Sequence, residues 1–286
     1  MPEILDKNKI RQVFRDVQKH LAIAQLIRRF STNKEDIREK ALSHIDLSRC
    51  MRVLELGCAF GAFTEALRGR LHPAAEITGI DMISEYKPFF LQACDHAGYK
   101  GHFFSSGIEK ITKFNDNAFD AVVCSYALYF FPDKIPDIAR ILQPHGYFIT
   151  ITHSHNDMRE MVSLIRKTIA SESTSGKTPL LPIEIIFEQF SAENGAKLLE
   201  PFFGEIEEIE FSNSLVFQAQ DIRYCMDYFQ FKKSFFLTGH DLHNSSLIHR
   251  LTDELQTVAT KDHAITLCKD DKIFICSQPR KKALTP

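Results

Sequence analysis

The stretch VLELGCAFGAFTEAL, Val53 to Leu67, begins as an apolar strand and ends as a helix, with a glycine-bearing turn between them. A turn of this kind brings backbone N–H groups close to a ligand at the edge of a sheet. Two of its residues bear on which ligand. A dinucleotide fold needs G-x-G-x-x-G/A, with glycine where the pyrophosphate meets the backbone. Read from Gly57, this chain supplies Gly57, Ala59 and Ala62, so a methyl group stands at the central position. Glu55, at the tip of the strand, adds a negative charge that a pyrophosphate has no reason to approach. The pair points instead to a ligand whose end near the turn is cationic.

Outward from this stretch, strand and helix patterns alternate. RVLEL, EITGID, GHFFSS, FDAVVCSYA and GYFITIT read as strands. The segments AFTEALRGR, SEYKPFFLQACDHA and KIPDIARIL between them read as helices, with Pro88 delaying or kinking the second. Such alternation predicts βαβ units and a parallel sheet covered on both faces, which accounts for near-continuous apolar runs. Before it, residues 8–30 have helical spacing, and Ser31 or Thr32 is the expected N-cap of a following helix. After residue 153 a helix over 157–170 leads into SESTSGKTPLLP, a turn-rich stretch expected to be mobile. Strand character returns at EIEEIEFSNSLVF, helices follow at 219–236 and 241–259, and AITLCKDDKIFICSQ reads as a terminal hairpin about the KDDK turn.

Motif by motif, the chain resembles the class I S-adenosylmethionine-dependent methyltransferases. Their first motif, acid-x-Gly-x-Gly-x-Gly, is met by Glu55, Gly57, Ala59 and Gly61, with Ala59 as the departure. The resemblance implies that this turn holds the methionine part of S-adenosyl-L-methionine, with the acid near its ammonium. Asp81 ends the second strand, 26 residues after Glu55, where the family places an acid on the ribose hydroxyls. Met82 then matches the apolar residue against the adenine ring. Gly107 stands where an adenine-binding Asp is usual, which leaves the backbone of Ile108 and the side chain of Glu109 as the implied contacts. FDAVVCSYALYFFPD, residues 119–133, resembles the strand-four motif and its aromatic turn, and brings Ser125 into the implied cofactor set.

The resemblance covers residues 50–152 and continues faintly to SAENGAKLLEPFF and the last strands, in the manner of the type-11 small-molecule group. It implies a Rossmann-like, seven-stranded, mostly parallel sheet with helices on both faces, a C-terminal antiparallel strand and an inserted helical lid. The expected division is an N-terminal helical cap at 1–48, a cofactor-binding core at 49–153, an acceptor-binding lid at 154–203 and the rest of the sheet with helices at 204–286.

Composition bounds the partners. The 286 residues carry a net charge of −2, 44% hydrophobic and 25% charged residues, ordinary values that exclude a strong global field for nucleic acid or membrane. Basic residues concentrate at 7–40, ten Lys and Arg against four Asp and Glu, a pattern read first as a solvated helix face and second as a docking surface. Seven cysteines form no C-x-x-C pair, the N-terminus has no signal-peptide core, and no apolar run approaches membrane-spanning length. The expectation is a cytoplasmic protein without a membrane span, and the partner set allows a homodimer.

Methyl transfer is an in-line displacement, in which a base is needed only if the acceptor must lose a proton. His153, in THSHND after the fifth strand, is the candidate base, and Tyr126 the second catalytic candidate. Tyr129 and His155 are candidate substrate contacts. The H-x-H pair also has the form of a metal half-site, but no further ligands are evident and no metal is expected. Cys124-Ser125-Tyr126-Ala127 replaces the Asn/Asp-Pro-Pro-Tyr/Phe run of enzymes that methylate planar amines, which argues against DNA. Four readings stay open: a small-molecule methyltransferase, one acting on a protein or RNA, a non-catalytic cofactor-binding protein, and a nicotinamide-dependent oxidoreductase.

Overall fold

Nine strands are formed among the described residues of the computed structural model, which are 7–170, 180–237 and 244–280. They are β1 (Arg52–Leu56), β2 (Glu76–Asp81), β3 (Lys100–Ser105), β4 (Phe119–Ser125), β5 (Leu142–His153), β6 (Phe203–Phe211), β7 (Ser214–Gln218), β8 (Ala264–Cys268) and β9 (Asp271–Pro279). The expected mobile stretch at 171–179 lies outside the described residues.

Seven strands make one sheet in the order β3-β2-β1-β4-β5-β9-β6. Strands β1 to β5 run parallel, and β9 is antiparallel to both β5 and β6. This is the Rossmann-like sheet the sequence implied. Successive side chains of a strand point to opposite faces, so each strand feeds two apolar layers. Val53, Ile77, Ala121, Val123, Ile149 and Ile151 join the layer under Phe63, Leu67, Phe90 and Cys94. Leu54, Leu56, Ile80, Val122, Cys124 and Phe148 join the opposite layer with Ile135, Ile138 and Leu199. Glu55 shares the parity of Val53 and is therefore a carboxylate sent into an apolar layer, where it is 4% exposed.

The local signals explain the helices on this sheet. Pro88 sits in the first turn of the helix Lys87–Ala97, where its missing N–H costs no hydrogen bond, so it starts the helix without kinking it. Gly98 ends that helix in the left-handed conformation, φ +87°. Asp36, not Ser31 or Thr32, caps the helix Ile37–Leu42 by accepting from Arg38 N at 2.9 Å. Ser31 closes the preceding helix instead, its N–H and hydroxyl both donating to Ile27 O.

The chain divides into two units. The sheet unit takes residues 35–153, 189–211 and 271–280 of those described. The helical unit takes 7–34, 154–170, 180–188, 212–237 and 244–270. The observed grouping thus differs from a continuous lid over 154–203 followed by sheet: residues 189–211 build the sheet unit, and 212–270 do not. The terminal hairpin is also corrected. β8 pairs with β7 in a separate two-stranded antiparallel sheet, while β9 inserts between β5 and β6. Lys269 and Asp270 connect β8 to β9, and so one unit to the other, rather than forming a hairpin turn.

Within the helical unit the 8–30 pattern becomes two helices, Lys7–Phe14 and Val17–Phe30, because Asp16 leaves helical geometry to cap the second by accepting from Lys19 N at 3.0 Å. Phe14 packs edge-on against Phe231 and Phe235, and Phe30 lies 4.5 Å from Phe217 between ring centroids. His20 stacks on Phe231, and burial with nearby Lys232 lowers its pKa to about 4. Lys269 Nζ reaches buried Asp157 at 3.1 Å, and Arg166 holds both oxygens of Glu184 at 2.7 and 2.6 Å. No helix among the described residues is long and apolar enough to cross a membrane.

Candidate active site

Parallel register puts the chemistry-bearing residues of the sheet unit on one edge. Leu56 lies opposite Ile80, Asp81 opposite Ser105, and Ser125 opposite Ile151. The antiparallel β9 begins at this same edge, so His153 at the end of β5 faces Asp271 at the start of β9. In an open α/β sheet the carboxyl ends of the strands are where a ligand crevice forms.

The turn after β1 takes left-handed backbone at Gly57 (φ +66°), Ala59 (φ +43°) and Gly61 (φ +81°). A Cβ on Gly57 would sit 2.8 Å from Ala127 Cβ, and one on Gly61 would sit 2.6 Å from Ala93 Cβ, so both must be glycine. Ala59 adopts the same handedness with a Cβ in place, at a steric cost. What holds it there is Asp81: its Oδ2 accepts from Ala59 N at 3.0 Å, and its Oδ1 accepts from Ile83 N at 2.9 Å. One carboxylate therefore ties the turn to the end of β2.

Both acids are poised for a partner. Burial raises the pKa of Glu55 to about 7, against the opposing hydrogen bond from Thr64 Oγ1 to its Oε2 (2.5 Å). Burial likewise raises Asp81 to about 6, against the N–H bonds from Ile83 and Ala59. Two hydroxyls on this edge, Ser125 Oγ and Ser106 Oγ, are buried and have no hydrogen-bond partner. The N–H of Ser106 donates to Asp81 O at 3.0 Å, which fixes it beside that acid. Met82 is half-buried next to Asp81. Gly107, in extended backbone, leads into the 3₁₀ turn Ile108–Lys113, whose Glu109 is exposed. The edge thus brings together Glu55, Gly57, Ala59, Gly61, Asp81, Met82 and Ser125, with Gly107 and Ile108 following Ser106; the Glu109 carboxylate stands out toward solvent.

A second constellation lies across β4, β5 and β9. His153 Nδ1 is 2.7 Å from Asp271 Oδ1, and Tyr126 Oη donates to Asp271 Oδ2 at 2.7 Å. The rings of Tyr126 and His153 stack with centroids 4.7 Å apart, and Tyr129 follows at 6.1 Å from His153. Tyr126 is held at φ +55°, its N–H donating to Ile151 O, a backbone state that turns the ring back over β5. His155 falls in the helical unit, where its Nε2 donates to Phe187 O at 3.0 Å. His153 and His155 therefore belong to different units. No group of three or more His, Cys, Asp or Glu among the described residues is placed to hold a metal ion.

Sequence reasoning missed three of these residues. Ser106 hides in a strand ending, Thr64 looks like an ordinary helix residue, and Asp271 sits in KDDK, which reads as a turn. Asp271 had one legible signal, an acid directly before the apolar run KIFIC.

Residues 54–150 match the family described as "Methyltransferase domain". A demethylmenaquinone methyltransferase of Lactiplantibacillus plantarum is 27% identical over 129 residues, covering 42% of this chain and 52% of that protein. The uncharacterized methyltransferase YcgJ of Bacillus subtilis is 27% identical over 105 residues, 36% of this chain and 40% of its own length. The matched segments thus span about half or less of these curated relatives. The crystal structure of a candidate methyltransferase from Bacillus halodurans C-125 shares the fold at a TM-score of 0.53, with 13% identity, over 85% of this chain and 99% of that one. The YcgJ structure does so at 0.50, with 14% identity, over 84% and 97%. The domain match falls on the glycine turn and the five parallel strands, so residues 54–150 are similar to a methyltransferase domain, and the chain shares the Rossmann-like fold of these neighbours.

Proposed function

We propose that this protein transfers a methyl group from S-adenosylmethionine to a small-molecule acceptor at an oxygen, nitrogen or carbon nucleophile. The observation that carries the reading is the pair of buried acids, Glu55 and Asp81, on one strand edge with a left-handed turn tied between β1 and β2. Their raised pKa values mark a dry site short of positive charge and of donors. A ligand with an ammonium and a ribose diol supplies both, and the unpartnered hydroxyls of Ser125 and Ser106 supply further contacts. The residues present fit the cofactor.

When bound, the cofactor supplies a methyl group on a sulfonium, an electrophile the protein need not activate. The chain's own contribution is placement. Glu55 would meet the ammonium, the N–H groups of the Gly57–Gly61 turn the carboxylate end, Asp81 the ribose, and Met82, Gly107 and Ile108 the adenine. Glu109 would enter only by turning inward. The faces of Tyr126 and Tyr129 would favour a nearby cation, and His153 would take a proton where the acceptor must lose one. Tyr129, beside His153, is the acceptor-side ring. The Lactiplantibacillus relative is named for demethylmenaquinone, which makes that quinone a rational first acceptor to assay.

A thermal-shift panel tests the reading. S-Adenosylmethionine and S-adenosylhomocysteine are expected to raise the melting temperature, by about 2.7 kcal/mol of stabilisation at a hundredfold excess over Kd. NAD and NADP are expected to leave it unmoved. A shift with a nicotinamide nucleotide and none with either sulfur ligand would sink the proposal.

A further inference from the structure

Glu55 is sent into an apolar layer of the sheet unit, and the helix Ile37–Leu42 packs on that same layer, where its Ile37, Ala41 and Leu42 join Phe63 and Leu67. Two contacts fix this helix against the segment that follows the glycine turn: Arg70 donates to Glu39 Oε2 at 2.6 Å and to Leu42 O at 3.3 Å. The first turn of the helix carries Arg38, in the stretch expected as a helical cap and ahead of every motif. Its charge reaches Glu55. Burial is the main influence on that carboxylate, and the Arg38 guanidinium is the strongest charge acting against it. The two are nevertheless unpaired. Arg38 Nη1 is spent on Asp36, at 2.9 Å from each of its oxygens. Among the described residues nothing accepts a hydrogen bond from Nε or Nη2 of Arg38. Asp36 is also the N-cap of the helix, accepting from Arg38 N at 2.9 Å, so the guanidinium is anchored to the backbone it springs from.

An acid and a guanidinium thus stand within electrostatic reach of each other, and the Nε–Nη2 edge of the guanidinium keeps two parallel donors. A planar fork of this kind matches a carboxylate, which takes both bonds at once. A simple cation would satisfy Glu55 and be repelled by Arg38, and a simple anion the reverse. An α-amino acid carries its ammonium and its carboxylate on one carbon and so answers both groups. We propose that Arg38 binds the carboxylate of the cofactor's amino-acid end, beside the N–H groups of the turn, while Glu55 receives the ammonium and Asp36 positions the guanidinium. The inference rests on the methyl-transfer reading, which names the cofactor, and deepens it: the site selects a zwitterionic tail and not merely a cationic one.

The test is isothermal titration of the intact protein with S-adenosylmethionine and with decarboxylated S-adenosylmethionine, which keeps the sulfonium, ammonium, ribose and adenine and lacks only the carboxylate. Wild type is expected to bind S-adenosylmethionine about tenfold or more tightly than the decarboxylated compound. Arg38→Ala is expected to bind S-adenosylmethionine about ten- to a hundredfold more weakly than wild type, and the decarboxylated compound within about twofold of it. Arg38→Lys, which keeps the charge and loses the paired donors, is expected to fall between. The Arg38 and Asp36 side chains are 29% and 43% exposed, so their pair contributes little to the fold, and a melting curve of Arg38→Ala checks that it is intact. Equal affinity of wild type for the two compounds overturns the inference, and this comparison needs no variant to fold. So does an unchanged S-adenosylmethionine affinity in Arg38→Ala, or an equal loss of both compounds at an unchanged melting temperature. A wild type that binds neither compound strikes the methyl-transfer reading itself, and the inference with it, so the two failures are told apart.

Discussion

At the scale of residues, the account turns on carboxylates that burial holds near neutrality. Glu55 moves from an ordinary 4.5 to about 7 on folding. An acid raised in this way contributes stability that is whole below its unfolded value and is lost as pH rises through the folded one. Unliganded protein should therefore lose stability between pH 4.5 and 7, and Asp81, raised from 3.8 to about 6, acts with the same sign. Glu55→Gln should flatten that slope and melt higher than wild type at pH 8, yet bind S-adenosylmethionine more weakly. Wild-type affinity should increase as pH rises toward 7, because the ammonium selects the ionised carboxylate; denaturant titrations and calorimetry across pH read both effects. Ala59 gives a prediction of opposite kind. Its left-handed φ of +43° is natural to glycine, so Ala59→Gly should stabilise the fold by up to about 1 kcal/mol, seen as a higher denaturant midpoint at unchanged slope. Glu55 and Asp81 were legible because each ends a parallel strand at a recognisable spacing. Asp271 was not, because antiparallel pairing joins residues whose separation no local pattern records.

Elements tell a similar story about what short-range signals can carry. The strands and helices of 52–153 could be read because parallel βαβ units repeat one local rule, and of the two outcomes read for Pro88 the structure shows the delay, the helix starting at Lys87, and not the kink. The hairpin reading of AITLCKDDKIFICSQ failed because two apolar runs about a polar turn look the same whether they pair with each other or with distant partners. β9 is drawn between β5 and β6 by Phe274 and Cys276, both fully buried, while β8 answers to β7. β6 ends the sheet and carries Glu205, Glu207, Glu208 and Glu210, charges that discourage another strand from adding at that edge. Lys272 reaches two of them, at 2.9 and 2.7 Å. The helix Lys87–Ala97 is anchored by Phe90, which is 0% exposed and packs on the glycine turn through Gly61. Phe90→Ala should cost about 3–5 kcal/mol, measured by urea unfolding, and should loosen the turn as well.

For the molecule as a whole, the chain threads between two units several times, so neither is a continuous piece of sequence. Periodicity reports which faces are apolar and is silent on which segments share a core. That is why the sheet and the strand ends along its carboxyl edge were readable, and the assignment of 189–211 and 212–270 was not. The functional consequence is confined to the sheet unit, where one edge holds the acids, the turn, the unpartnered serine hydroxyls and the Tyr126–Asp271–His153 constellation. Asp81 is the residue on which that edge depends most, since it joins the turn to β2 and would face the ribose. Isothermal titration of wild type and Asp81→Ala with S-adenosylmethionine is therefore the most direct measurement. The account predicts one site per wild-type chain and an affinity at least about tenfold weaker in the variant. Absence of saturable binding to wild type, or equal affinity in the two proteins, would contradict it.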